Sequence, residues 1–484
     1  MSSLATVSRL VGLPFLALAT FTSPALAQHA AEIGELGSHL PLITVVPFAL
    51  LLLAIAVLPL IVNEWWEHNR NKAIVALLLS IPVVLYLVGG WGEAGRLVLE
   101  EKMMEYVAFI VLLTALFIIS GGVYIQGSLA GTPLVNTGLM GLGAVLANLI
   151  GTTGASVLLI RPLLRANRAR ERKVHVVIFF IFVVANCGGL LTPLGDPPLF
   201  VGFLSGVPFE WSLRLWPQWL FANAILLFVF NIWDQVVLNR EERERAGSQL
   251  EDVMRHEPLR IHGKRNLLFL LAIMGIVLAS GKGLGNGGAP WPFGVKELLM
   301  GVVTVISYAV TPTLTRTRNE FAFGPIIEVA VLFLGIFVTM APALVILNAW
   351  GQGTRTVLGM GFGLHQSWHF FWATGSLSSF LDNTPTYLTF SATAAGLGGV
   401  AAQGRFLAEY LATGPAANHL LAAISVGAVF MGANTYIGNG PNFMVKAIAE
   451  AGGVRMPSFF GYVAYSATIL LPIFVLATLI FFRG

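Results

Sequence analysis

The sequence predicts an all-α polytopic membrane protein, with about 10 transmembrane helices plus two re-entrant hairpins arranged as two inverted repeats. Three observations predict it. Of 484 residues, 56% are apolar and only 11% charged, against about 25% charged in a soluble globular domain. Apolar runs close to the ~20 residues of a spanning helix follow one another along the chain. Two of those runs are broken in the same way, by matching Gly, Pro, Thr and Asp or Asn. The composition excludes a soluble multidomain enzyme. The net charge of +4 comes mainly from basic loops, which bear on topology and not on nucleic acid. Cys187 has no second cysteine to pair with, so it reads as a small packing residue.

Residues 1–27 read as a signal peptide, with Arg9, an apolar core and "ALA" before Gln28; a weak extra span is the other reading. Residues 28–104 hold spans at 41–62 and 73–90. The first repeat, 105–238, holds a span at 105–126, a hairpin at 133–165, a broken span at 174–204 and a span at 214–238. A cytoplasmic linker, part helical, fills 239–265. Spans at 266–282 and 295–312 occupy 266–321. The second repeat, 322–484, holds a span at 322–348, a hairpin at 367–400, a broken span at 417–449 and a span at 459–482. Polar "NLIGTTGAS" and "SSFLDNTPT" interrupt the two hairpins, which suits chain that enters and leaves a membrane on one side. Six Lys or Arg in 161–173 and seven in 240–265 place both segments in the cytoplasm. If 133–165 crossed fully, one of them would lie outside. Trp65, Trp66, Trp91, Trp211, Trp216 and Trp350 fit interface belts.

The repeat lies in "GLLTPLGDPPLF" (189–200) and "GANTYIGNGPNF" (432–443), identical at five of twelve positions, with Asp196 facing Asn439. Thr153 and Thr384 mark the preceding hairpins, and Glu105 and Glu328 open the spans before those. Counting crossings, the two units start on opposite sides, which is the architecture of a secondary transporter with its site between the repeats.

Unwound backbone in lipid leaves N–H and C=O groups that cost several kcal/mol each if unpaired. Freed carbonyls with Thr and Asn oxygens suit a hard cation such as Na⁺, whereas half-helix N-termini suit an anion. Fixed charge must decide. An intramembrane carboxylate faces a partner or water, and one that binds H⁺ or Na⁺ by turns can exchange them. Asp196 and Asp382 are the candidate carboxylates and Na⁺ ligands. Thr153, Asn186, Thr192, Asn383, Thr384, Thr435 and Asn439 are the candidate neutral oxygens. Asp196 could instead simply cap the half-helix that follows it. Glu328, Glu105 and Lys446 are candidates for proton or charge coupling; Lys446 could also snorkel to the cytoplasm. His175, His369 and His419 share no metal-ligand spacing.

"GTTGAS", "RPLLRAN", "NCGGLLTPLGDPPLF", "LDNTPT" and "GANTYIGNGPNF" resemble the ion transporter superfamily. The resemblance is to its bacterial sodium:proton antiporters of the NhaD type and its citrate transporters. It implies a scaffold domain at a homodimer interface (28–104 and 266–321) and a transport domain that carries both hairpins and moves like an elevator. In the dicarboxylate branch each hairpin tip is Ser-Asn-Thr; here the tips are Gly151-Thr152-Thr153 and Asp382-Asn383-Thr384. A carboxylate at Asp382 repels a carboxylate substrate. The expectation is a multi-pass Na⁺/H⁺ antiporter of the bacterial inner membrane. It needs no cofactor beyond its transported Na⁺ and H⁺, and its partners are lipid, small ions and a second copy. The alternative is a Na⁺- or H⁺-coupled carrier of citrate, dicarboxylate or another anion. An intramembrane enzyme would need a catalytic pair that the sequence does not show, and a channel fits paired broken helices less well.

Overall fold

The computed structural model describes residues 36–244, 253–254, 257–357, 361 and 363–483; the signal-peptide reading lies outside them. Among the described residues, eight helices are long and apolar enough to cross a membrane. The helices used below are α1 (Val46–Ile61), α2 (Asn69–Ser120), α3 (Pro133–Ala166), α4 (Val174–Val183), α5 (Pro197–Leu204) and α6 (Trp216–Glu244). They continue as α7 (Arg265–Gly281), α8 (Val295–Val310), α9 (Gly324–Gly351), α10 (Ser367–Ser378) and α11 (Asn383–Leu397). The last are α12 (Pro415–Met431), α13 (Gly440–Ala451) and α14 (Phe459–Phe481). The spans expected at 266–282 and 295–312 are the shorter α7 and α8, of 17 and 16 residues.

Burial sorts the helices. In its most apolar stretch, the first broken span is 89% buried and α9 78%, while α2 is 22% and α6 28% buried. Apolar residues all round with most of them covered mark a central helix; the same composition left uncovered marks a lipid-facing one.

The expected hairpin 133–165 is α3, and its chain doubles back. Asn136 and Asn167 each donate a side-chain hydrogen bond to the other, at 2.9 and 2.8 Å. In a straight helix their 31-residue separation would span roughly 46 Å. The reversal is at Gly151, whose φ of 77° is open to glycine and costly for other residues. The expected hairpin 367–400 is α10 and α11, with the reversal at 379–382. There the rings of Phe370 and Phe390 lie 6.3 Å apart.

Both broken spans unwind alike. Each passes from an α-helix into a 3-10 turn, Cys187–Leu191 or Gly432–Asn434, then into a second helix after a β-region residue. That residue is Asp196 (φ −141°, ψ 144°) in one and Asn439 (φ −150°, ψ 138°) in the other. The matched glycines explain themselves here. A Cβ on Gly195 would lie 2.1 Å from the Gly189 oxygen, and one on Gly438 would lie 2.5 Å from the Gly432 oxygen. Each break is backbone packed on backbone, which only glycine permits.

Two boundaries differ from the sequence reading. The spans expected at 73–90 and 105–126 are the two arms of α2, which meet at Gly92 (φ 53°, ψ −122°). The chain folds back there, since a Cβ on Gly95 would lie against the Leu87 carbonyl oxygen, eight residues away and about 12 Å off along a straight helix. The charged stretch between them stays helical because its charges pair within the protein: Lys102 Nζ lies 2.8 Å from Glu105 and 3.6 Å from Glu101. In the linker expected at 239–265 as part helical, the described residues are helical up to Glu244 and again at 253–254. Later it forms β2 (Glu257–His262), which pairs antiparallel with β1 (Tyr124–Ser128).

Candidate functional site

Four interrupted segments meet at Asp196. Its carboxylate is 1% exposed and sits at the N-cap position of α5 without accepting a backbone hydrogen bond there. It therefore does not cap the helix. It points into the space between the hairpin tips. Thr152 Oγ1, from the tip of α3, donates to Asp196 Oδ1 at 2.8 Å. Asn383 Nδ2, from the second hairpin tip, donates to Oδ2 at 2.5 Å. Asn439 Nδ2, from the second break, donates to Oδ1 at 3.4 Å.

The breaks are fastened to the tips by matching bonds. Thr192 donates its hydroxyl to the Asn148 carbonyl, and Thr435 donates to the Ser379 carbonyl, both at 2.5 Å. Both hydroxyls, expected as ion ligands, donate their proton to backbone, and Thr435 Oγ1 also accepts from the Ile437 and Gly438 N–H groups at 3.2 and 3.1 Å. Asn186 links the breaks to each other: it donates to Asn442 Oδ1 at 2.7 Å and accepts from Asn439 Nδ2 at 3.1 Å. Asn442 in turn donates to the Gly432 and Thr435 carbonyls. Freed backbone oxygens are therefore paired by side-chain amides, as unwinding in an apolar setting requires.

Asp382 is the N-cap of α11, and its carboxylate accepts from the Thr384 backbone N–H at 3.0 Å. Thr153 is half-buried and lines a cavity that also exposes Thr152 and Asp196, walled by Leu112, Phe117 and Ile326. The cavity holds about 70 Å³, room for a few waters and well below the roughly 300–1,000 Å³ of drug-sized ligand sites. Asn383 Oδ1 and Thr384 Oγ1 are buried without a hydrogen-bond partner. Asn383 Oδ1 belongs to the amide that holds Asp196 and is left free to accept beside it.

The coupling candidates are paired elsewhere. Glu105 meets Lys102 at 2.8 Å, and Glu328 meets Lys72 at 2.7 Å. Lys446 pairs with Glu450 at 2.9 Å, one helical turn on. The fully buried Arg170 is held by Asp234 at 2.5 Å and Glu241 at 3.3 Å, and His175 adds a 2.8 Å contact to Asp234. None of these ion pairs includes Asp196. No group of three His, Cys, Asp or Glu that could hold a metal ion occurs among the described residues.

Sequence reasoning missed Thr152, Asn148, Ser379 and Asn442. The first three had a signal: aligning the tips through Thr153 and Thr384 also aligns Thr152 with Asn383 and Asn148 with Ser379. Asn442 stands opposite Leu199 in the repeat, so the alignment could not single it out.

No curated protein matches the chain. Residues 37–482 match the family model described as "putative citrate transport". The chain belongs to this family of membrane transporters.

Proposed function

We propose that this chain is a secondary active transporter that exchanges Na⁺ for H⁺, with Asp196 as the carboxylate that holds either ion. The observation that carries the reading is the burial of Asp196, at 1% exposure, between both hairpin tips with no side-chain cation beside it. A buried carboxylate without a counter-charge is costly. Taking up a proton neutralises it; losing that proton leaves a charge that Na⁺ can compensate. Asn383 Oδ1, buried and free of hydrogen bonds on the amide that holds Asp196, is a neutral oxygen for the Na⁺ site, and Thr152 Oγ1 beside the carboxylate is a second. Asp382 adds negative potential from its capping position.

Both hairpins and both broken spans form the moving body, which carries the site past a scaffold built from α1, α2, α7, α8 and α9. The protein works as a homodimer in a bacterial inner membrane. A citrate carrier is the second reading, favoured by the family description. Asp196 in the first break, Asp382 at the second hairpin tip and the absence of a free Lys or Arg among the residues contacting Asp196 argue against a tricarboxylate there.

Calorimetric titration of Na⁺ in buffers of different ionisation enthalpy tests the exchange. The reading expects about one proton released per Na⁺ bound, and an apparent Na⁺ affinity that weakens roughly tenfold per pH unit on the acid side. Asp196→Asn abolishes both. Binding of citrate without proton release, unchanged in that variant, would favour the anion carrier.

A further inference from the structure

The lipid-facing side of α6 carries a groove of about 720 Å³, walled by Val229, Ile232, Trp233 and Val236, with Arg172 and Arg240 at one end. We propose that this groove binds an anionic phospholipid, its acyl chain along α6 and its phosphate between the two guanidinium groups.

Three observations select that occupant. The wall is apolar over the roughly 10 Å of helix from Val229 to Val236, which suits hydrocarbon. The charge lies only at the end that joins the basic segments 161–173 and 240–265, the side where anionic lipid attracts cationic side chains. And the guanidinium groups are not saturated: Arg172 and Arg240 share a single ion-pair partner, Glu244, at 2.6 and 3.0 Å, which leaves N–H donors for a phosphate. Both guanidinium groups remain accessible, at 45% and 70% side-chain exposure.

The groove also touches the interior. Trp233 stacks on His175 with ring centroids 6.4 Å apart, and His175 contacts Asp234 in the buried ion-pair network at the start of the first broken span. A lipid against Trp233 braces α6 on α4.

The test is tryptophan quenching of the purified full chain by phosphatidylglycerol brominated on its acyl chains. Trp233→Phe separates the groove signal from the other tryptophans. The proposal expects a quenched component that Trp233→Phe removes. It expects binding about thirtyfold weaker in Arg172→Ala/Arg240→Ala, the worth of two basic side chains beside anionic lipid, and largely kept in Arg172→Lys/Arg240→Lys. Glu244→Gln, which frees both arginines, should bind more tightly. Brominated phosphatidylcholine should bind at least tenfold more weakly, and millimolar inorganic phosphate should not compete. Equal binding of both lipids would overturn the proposal, as would an unweakened double-alanine variant or weaker binding in Glu244→Gln. So would a Trp233 untouched by any brominated lipid in a protein that runs as a dimer, the result of a second copy seated on the groove.

Discussion

Asp196 accepts from Thr152, Asn383 and Asn439, so its neighbours are donors arranged around an acceptor. Asp196→Asn keeps the volume and removes the charge. Without Na⁺ that variant should melt at the wild-type temperature or above, because an uncompensated buried charge is gone. Added Na⁺ should raise the wild-type midpoint alone; at a hundred times Kd the stabilisation is ~2.7 kcal/mol. Melting curves with and without NaCl read both. Glu105 behaves differently: Lys102 is 3% exposed, so Glu105→Ala strands a buried cation. The expected cost is up to ~3–5 kcal/mol, eased by Glu101 nearby, with ion selectivity unchanged in whatever protein folds. At this scale the sequence was most readable where chemistry was out of place. A carboxylate in an apolar run marked Asp196 unaided. The lysines that answer Glu105 and Glu328 were hidden, Lys72 because its partner lies over two hundred residues away, and Lys102 because charges three apart looked like a loop.

At the element scale, the paired breaks rest on glycines that touch. Gly195→Ala puts a methyl 2.1 Å from the Gly189 oxygen, and Gly438→Ala puts one 2.5 Å from the Gly432 oxygen. Neither neighbour is a flexible side chain, so overpacking should cost at least ~1–3 kcal/mol and lower Na⁺ affinity with it. Gly138→Ala and Gly275→Ala, in helices with nothing within 4 Å of the new methyl, should be neutral or slightly stabilising. Thermal melts of the four variants provide the comparison. The repeat made these glycines visible because identity at matched positions survives without any knowledge of packing. The β1–β2 pair left no such trace, since Tyr124 and His262 are joined by most of the first repeat and no turn signal announces them. The break at Gly92 did leave one, since the span expected at 73–90 stops two residues before it.

Over the whole molecule, several loops collect on one side. Arg161 pairs with Glu320 at 2.7 Å, and Arg165 donates to the Ile125 and Gly127 carbonyls. A Cβ on Gly452 would meet Leu164. The start of α9 and the end of α13 thus lie beside the root of the first hairpin, among the basic segments. Inverted topology then predicts that cysteines placed at Gln126 and Arg168 label from the cytoplasm, and those at Gly363 and Arg405 from outside. Cys187 is fully buried and gives little background. Labelling of Gln126 and Arg168 from opposite sides would remove the first re-entrant hairpin. Positive charge set the orientation expected from the sequence, which the labelling tests, whereas the convergence of both hairpin tips on one carboxylate is a tertiary fact no local pattern encodes.

The claim that Asp196 exchanges cation for proton is tested most directly in proteoliposomes holding a pH dye. The interior is made acidic, and NaCl, LiCl, KCl or citrate is added outside in turn. The account predicts proton efflux on adding Na⁺ or Li⁺, lost in Asp196→Asn. Silence to every cation, with citrate-driven movement of protons or Na⁺ that survives the substitution, would contradict it.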